Sequence, residues 1–320
     1  MTVISIVVPI LNEKTIIPVF YERAIKVINQ IDAQFEIIFI DDGSTDGTLD
    51  VLKDFGCQDN RIRILSFTRN FGHQAAITAG LDYSRGDAVI IIDGDLQDPP
   101  ELFIEMIKKW REGFYVVYAK RKKRKGETLF KKTTAKIFYR FFQIFTDITI
   151  PLDTGDFRLL DRKVVNAVKG MKESHRFIRG MVSWVGYSQI GIEYERDERF
   201  AGDTKYTLAK MVRFASNAIF SFSDKPLRLA TIMGLSASFI GLVMILWGLY
   251  SKFYLSQSTV RGWTSVFISI LFLGGIQLFT LGIMGEYIGR IYDEIKNRPM
   301  YLVSEKVNFK ENKSCIQGID

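Results

Sequence analysis

Ala88-Val-Ile-Ile-Ile-Asp-Gly-Asp-Leu-Gln-Asp-Pro-Pro100 decides how this chain is read. Its first five residues form a short apolar, largely β-branched run of the kind that makes a buried strand. Asp93 and Asp95, one residue apart at the end of that run, can both reach a hard divalent cation, and such a cation also coordinates a diphosphate. Gly94 lets the backbone approach a ligand closely, and Gln97 offers a neutral oxygen. An Asp-x-Asp pair alone is weak evidence, because chance supplies many. The strand before it and the Leu-Gln-Asp-Pro-Pro turn after it give the pair a place in a fold.

Outward from this stretch, the first 120 residues alternate strand-like and helix-like segments. Strands are predicted at Ile4–Val8, Glu36–Ile40, Ile62–Phe67, Ala88–Ile92 and Tyr115–Tyr118. Helical spacing of apolar residues marks Ile16–Gln30, Ala75–Tyr83 and Pro100–Arg111. Such alternation predicts an α/β fold, a mostly parallel, Rossmann-like sheet with helices on both faces. Ligands of such sheets sit beyond the carboxyl ends of the strands. The polar clusters fall there: Asn12-Glu13, Asp41-Asp42-Gly-Ser, Arg69-Asn70 and Asp93-Gly-Asp95. The Asp41–Gly47 segment also has the composition of a turn and helix cap. One turn does not need three carboxylates, so Asp41 or Asp42 is expected to face the cleft and accept hydrogen bonds from a base or ribose.

Past Lys120 the character changes. Lys120–Lys125 is an unbroken basic run, and Leu129–Phe145 sets Lys132, Lys136 and Arg140 opposite Phe130, Ile137, Phe138, Phe141 and Phe145. A cationic face against a phenylalanine face suits a helix in the headgroup layer, although any surface helix is amphipathic. Thr207–Phe222 is a second such segment. Two charge-free stretches follow, Leu229–Ser251 and Gly262–Gly285, each long enough for a bilayer core, which takes about 20 apolar residues. The expected organisation is a catalytic domain over 1–205 (interfacial helix about 128–145), an interfacial helix at 206–228, spans at 229–251 and 262–285 joined by an outer loop at 252–261, and a cytoplasmic tail at 286–320. Lys210, Arg213, Lys225 and Arg228 precede the first span and Arg290, Lys296 and Arg298 follow the second. The loop holds only Lys252 and Arg261, which favours both ends inside. Glycines at 234, 241, 274, 275 and 282 suggest close helix packing, within the hairpin or between subunits.

The chain has 320 residues, a net charge of +7, and two cysteines, Cys57 and Cys315, far apart. No disulfide framework or metal-binding cysteine spacing is implied, which fits a reduced, cytoplasmic setting. The N-terminus, Met-Thr-Val-Ile-Ser-Ile-Val-Val-Pro, lacks a basic n-region and a cleavage site and reads as a first strand. The basic balance is assigned to phosphates and anionic lipid, not nucleic acid. A transporter is disfavoured because the two spans contain no ionisable residue.

These segments together resemble the family 2 glycosyltransferases of GT-A fold, and most of all their polyprenyl-phosphate sugar transferases, the bactoprenol glucosyltransferase type. The likeness rests on Ile6-Val-Val-Pro-Ile-Leu-Asn-Glu13, Asp41–Gly47, Arg69-Asn-Phe-Gly72, Asp93–Pro99 and Thr154-Gly-Asp-Phe-Arg158. Trp184-Val-Gly186, Arg196–Lys205, Phe272–Gln277 and Gly285–Arg290 extend it to about Val303. The resemblance implies a GT-A catalytic domain followed by two transmembrane helices. Its activity would be inverting transfer of glucose from UDP-glucose to undecaprenyl phosphate at the cytoplasmic face of the bacterial inner membrane, for surface-glycan or O-antigen modification. GDP-mannose, UDP-amino-arabinose, UDP-GlcNAc or UDP-galactose are alternative donors, and a non-catalytic nucleotide-sugar sensor is the alternative class. By the same likeness Pro9, Asn12, Glu13 and Asp42 line the uridine pocket, joined on the donor side by Asp41, Arg69 and Asp93. Asp93, Asp95 and Gln97 would hold Mg²⁺ or Mn²⁺. Asp156 would sit where acceptor meets sugar and, with Asp95, carry catalysis, while Arg121, Arg158, Arg199 and Lys205 would serve phosphates and acceptor. Asp203 and His73 depart from the residues expected there, and His73 is expected to cap or pack near the rim. Asp156 is expected to orient the acceptor or sugar as much as to take a proton, or else to be a structural residue bonding Arg158 or a nearby backbone N–H. A homo-oligomer, with a tetramer among the options, and a separate flippase complete the implied partners.

Overall fold

The computed structural model describes residues 2–122, 154–195, 223–254 and 262–309. Strands β1 (Val3–Ile10), β2 (Gln34–Asp41), β3 (Ile62–Phe67) and β4 (Ala88–Ile91) alternate with helices α1 (Ile17–Ile28), α2 (Thr48–Gln58) and α3 (His73–Tyr83). Then come α4 (Leu102–Arg111), β5 (Val116–Arg121), β6 (Thr154–Asp161), α5 (Arg162–Gly170), α6 (Ile178–Val185) and β7 (Gln189–Tyr194). Two long helices follow, α7 (Lys225–Tyr254) and α8 (Trp263–Ile295), and the last strand is β8 (Val303–Val307).

All eight strands join one sheet, in the order β7-β5-β6-β4-β1-β2-β3-β8. The parallel centre β4-β1-β2-β3 is what the apolar runs predict, for strands covered on both faces read as continuous hydrophobic stretches. The sheet as a whole is mixed, with four of its seven strand pairings parallel. β6 runs antiparallel to both β4 and β5, β8 runs antiparallel to β3, and β7 alone is parallel to β5. The sequence hides β6 because Thr154-Gly-Asp-Phe-Arg reads as a polar site motif. In the strand, Phe157 and Leu159 enter the core with Phe20, Phe39 and Phe103, and Asp156 and Arg158 alternate to the other face.

The tail expected over 286–320 is corrected in two ways. Helix α8 runs on to Ile295, and Val303–Val307 closes the edge of the sheet beside β3. Its pattern, Val-Ser-Glu-Lys-Val, sends Val307 against the core and leaves Glu305 and Lys306 to guard an open edge. Among the described residues, one compact unit holds the sheet with its flanking helices and residues 299–309, and a second holds α7 and α8.

In the second unit the two helices pack on each other but leave large apolar side chains open, among them Leu235 and Phe239 at 67% exposure. Of the described residues, one helical segment, Lys225–Met244, is long and apolar enough to cross a membrane, with a mean hydropathy of 1.7. The glycines do not mark close packing inside the hairpin: a Cβ at 234, 241, 274, 275 or 282 would meet nothing within 4 Å. The expected outer loop begins inside α7, which runs to Tyr254; its remaining residues, 255–261, lie outside the described residues, as do the amphipathic segments Leu129–Phe145 and Thr207–Phe222 and Arg199, Asp203, Lys205 and Cys315.

Candidate active site

Four loops meet at the carboxyl ends of β1 to β4. After β1, Asn12 adopts a left-handed backbone (φ 56°), its Oδ1 accepts from Thr45 N (2.8 Å), and its own N–H donates to Ser44 Oγ (2.9 Å). Glu13 N donates to Thr48 Oγ1 at 3.1 Å, so this loop is knitted to the one after β2. Pro9 is buried within β1, opposite Ile40. Gly43 then allows a close crossing. With φ +74° and Arg69 and Asn70 backbone atoms 2.6 and 2.8 Å from where a Cβ would stand, only glycine fits.

Asp41 and Asp42 do not face the cleft as expected. Both are buried and their carboxylates are used inside the protein. Asp41 accepts from Ser44 N (3.0 Å) and Ser66 Oγ (2.9 Å). Asp42 accepts from Phe71 N (2.7 Å) and Gly72 N (2.9 Å), pinning the loop after β3. Arg69, at the exposed crest of that loop, places its guanidinium 4.1 Å over the Phe71 ring.

The loop after β4 carries Asp93 and Asp95. Asp95 Oδ1 accepts from Gln97 N at 3.1 Å, and Leu96 takes φ +58° while its side chain is buried in the core. A non-glycine residue held left-handed is typical of functional loops whose surroundings over-determine them. Gly94 is not required by internal packing, since a Cβ there would only touch Ile10 and Val8 at 3.4 Å.

Asp156, 5% exposed, stands on β6 across from this loop. Arg179 of α6 grips it with two bonds, Nε to Oδ1 at 2.7 Å and Nη2 to Oδ2 at 3.0 Å. His73, the first residue of α3, lies with Nε2 3.2 Å from Asp156 Oδ2 and 3.5 Å from Asp93 Oδ1. Gln74 Nε2 also reaches Asp156 (3.5 Å), while its Oε1 accepts from Ile178 N at the start of α6. Asp156 is thus hydrogen-bonded by Arg179, His73 and Gln74 and not by Arg158, which feels its charge without such a bond. Arg158 is buried with Nη2 donating to Gly155 O, so it props the backbone of its own strand. Arg121 is half-buried at the end of β5, its Nη2 2.9 Å from where a Gly155 Cβ would be and its Nε bonded to Tyr194 Oη. Tyr194 in turn donates to the buried Asp98.

The charges follow from these contacts. Burial opposes ionisation of Asp156, but Arg179 and His73 hold its carboxyl well below the usual range. Burial likewise opposes the imidazolium of His73, yet Asp93 and Asp156 outweigh it and push the ring up to about 9. Burial pushes Asp93 up to about 6, with the Asp156, Asp98 and Asp95 carboxylates adding to it and His73 offsetting part. Burial lowers Arg158 to about 10.

A divalent cation fits here. Asp93 Oδ1 is buried and makes no hydrogen bond, and two carboxylates are the hard oxygen donors that Mg²⁺ or Mn²⁺ takes. Among the described residues no three His, Cys, Asp or Glu side chains converge. Asp93 and Asp95 would therefore share the ion with phosphate oxygens, water or Gln97.

The sequence singled out Asp93, Asp95 and Asp156, and the fold brings Asp93 and Asp156 to the same imidazole nitrogen, Nε2 of His73. It gave no warning of Arg179, which lies 23 residues beyond Asp156 on a different element. The position of His73 after the Asn-Phe-Gly turn was the one available signal for its place at the site.

Residues 5–169 match the family model "Glycosyl transferase family 2". Similar proteins include an uncharacterized glycosyltransferase of Bacillus subtilis (strain 168), 52% identical over 97% of this chain and 95% of its own. Another, from Synechocystis sp., is 46% identical over 94% and 95% of the two chains. A prophage bactoprenol glucosyl transferase homolog of Escherichia coli (strain K12) is 42% identical over 94% of this chain and 98% of its own.

Proposed function

The chain belongs to glycosyl transferase family 2 and is a glycosyltransferase, and on that premise we propose that it moves glucose from UDP-glucose to undecaprenyl phosphate. The observation that carries the acceptor is the state of Asp156. A carboxylate gripped by Arg179 and His73 and held far below its ordinary range is a poor base. An alcohol acceptor would need one. A phosphate monoester does not, for its second pKa is near 6 and it arrives already ionised. Bringing two polyanions together then becomes the main task, and it calls for fixed positive charge. His73 and Arg179 supply that charge beside Asp93. Bringing acceptor oxygen and anomeric carbon to reacting distance contributes the rest.

A divalent cation on Asp93 and Asp95 would neutralise the donor diphosphate and ease its departure. Pro9, Asn12 and Glu13 are assigned to the uridine side of the cleft, with Asp41 and Asp42 shaping its loops from behind.

Membrane attachment is supported by α7 and by chain connectivity. β8 pairs with β3, so the strands that precede α7 in the chain and the strand that follows α8 share one sheet and are assigned to one side of any bilayer. The number of crossings between them is then even. We therefore assign both helices as spans, with the catalytic unit on the cytoplasmic side and a bilayer covering the exposed apolar side chains of α7 and α8.

The test mixes the purified full chain with undecaprenyl phosphate, Mg²⁺ and one labelled nucleotide sugar at a time, and counts label in the organic phase. Transfer from UDP-glucose above the other donors supports the reading. Transfer from another donor, or to a free alcohol acceptor equally well, overturns it.

A further inference from the structure

Residues that return from α8 do more than close the edge of the sheet. Tyr301 lies flat on Phe67, with ring centroids 5.1 Å apart and planes 15° apart. Phe67 meets Phe71 edge-on at 5.7 Å, and Phe71 carries the Arg69 guanidinium. The Tyr301 hydroxyl donates to Asp82 of α3 at 2.9 Å, and Leu302 O accepts from Thr68 N at 3.0 Å. Ser304 Oγ donates to Ser66 O at 3.0 Å. The β3–α3 loop is therefore held from both sides, by Asp42 on the Phe71 and Gly72 amides and by the 301–304 segment on Phe67 and Thr68. The next residue is His73, the group between Asp93 and Asp156.

We propose that Tyr301 is a positioning residue for sugar transfer: its stack on Phe67 and its bond to Asp82 set the β3–α3 loop and α3 so that His73 reaches Asp156. This rests on the reading of the cleft as the transfer site. An aromatic stack of this kind fixes orientation as well as burying area, and displacements of about 1 Å far from the chemistry can cost on the order of a hundredfold in rate. Tyr301 acts through His73 and touches none of the proposed reacting groups.

The chain has two histidines, His73 and His175, so histidine-labelled full-length protein gives a two-residue NMR spectrum. Tyr301→Ala should move the His73 ring signals and lower kcat by on the order of tenfold with donor KM unchanged. Tyr301→Phe keeps the stack and should recover most of both. The comparison variant is Asn308→Ala, at the far end of β8, where the side chain donates to Gly56 O (2.7 Å) and Ile62 O (2.8 Å). It should lower the melting temperature without moving His73 or kcat per folded molecule. Should Tyr301→Ala not fold, Tyr301→Leu keeps the bulk without the flat stack and makes the same comparison. His73 signals unmoved in the Tyr301 variant, or moved equally by Asn308→Ala, would overturn the proposal. If the wild type transfers no sugar at all, the functional reading falls, while the NMR comparison still decides the positioning.

Discussion

Both ends of the parallel strands bury a carboxylate beside an arginine, and the two pairs have opposite fates. At the amino ends, Glu36 is 6% exposed and takes Ser5 Oγ (2.5 Å), Arg85 N (2.7 Å) and the Arg63 guanidinium, which the Phe309 ring covers. Gly86 N in turn donates to Ser5 Oγ at 2.8 Å, so both oxygens of Glu36 are answered inside the protein, although Arg63 Nη1 beside it makes no hydrogen bond. At the carboxyl ends, Asp156 is equally buried and paired with Arg179. Its cluster then opens through His73, whose side chain is 43% exposed, onto Asp93, whose side chain is 29% exposed and keeps one oxygen without a hydrogen bond. Buried charge alone therefore does not identify a site. An incompletely answered charge next to an opening does, because it stores an interaction that a ligand can complete.

The sharpest break of this comparison is Asp93→Asn. If Asp93 holds the proposed cation, its loss should lower turnover by roughly 10³-fold or more, equivalent to several kcal/mol of transition-state stabilisation. Yet the metal-free protein should become slightly more stable, by on the order of 1 kcal/mol, since an ionised Asp93 stands among other carboxylates in the folded state. Mg²⁺ or Mn²⁺ should raise the melting temperature of the wild type and leave that of the variant unchanged.

Glu36→Gln should behave in the reverse manner. Breaking a closed buried pair leaves Arg63 unanswered and costs about 3–5 kcal/mol in denaturant melts, with kcat per folded molecule intact. Arg179→Gln falls between the two. It should cost about 2–3 kcal/mol and on the order of a hundredfold in turnover, because Asp156 loses the partner that fixes its orientation. Comparable stability losses for Glu36→Gln and Asp93→Asn would erase the distinction.

The pH dependence is a finer test. The folded pKa of His73, about 9, exceeds its ordinary 6.5, so its stabilisation is fully present below about pH 6.5 and is lost as pH rises through about 9. Melting curves of metal-free wild type should fall over that window, and those of His73→Gln should stay flatter. The smallest effect is expected at Lys53–Glu305, a surface pair at 2.7 Å between α2 and β8. Glu305→Gln should leave the melting temperature nearly unchanged, since an exposed pair is screened by solvent.

How much of this was legible without the fold varies by residue. The strand ahead of Asp93 could be read because a two-sided buried strand must be apolar along its whole length, and that is a local property. The carboxylate pair was visible for the same reason, since its meaning comes from spacing along one strand end. Asp41 and Asp42 were misjudged because composition does not say which way a carboxylate turns. The crossing of Gly43 over Arg69 and Asn70 brings the Phe71 and Gly72 amides within reach of Asp42. Nor does composition say that Arg158, on the same face of β6 as Asp156, turns back to its own strand.

Sequence alone determined that a parallel α/β centre would offer acidic residues at one rim and that two long apolar segments would follow, because hydrophobic periodicity is written residue by residue. Tertiary structure decided the rest: that Arg179 rather than Arg158 holds Asp156, that His73 bridges Asp156 and Asp93, and that residues beyond the second long helix come back to brace the loop before His73. Those facts depend on segments tens to hundreds of residues apart being brought within 3–6 Å of each other. Side-chain chemistry specifies what each group can bind, and only the packed chain specifies what stands next to it.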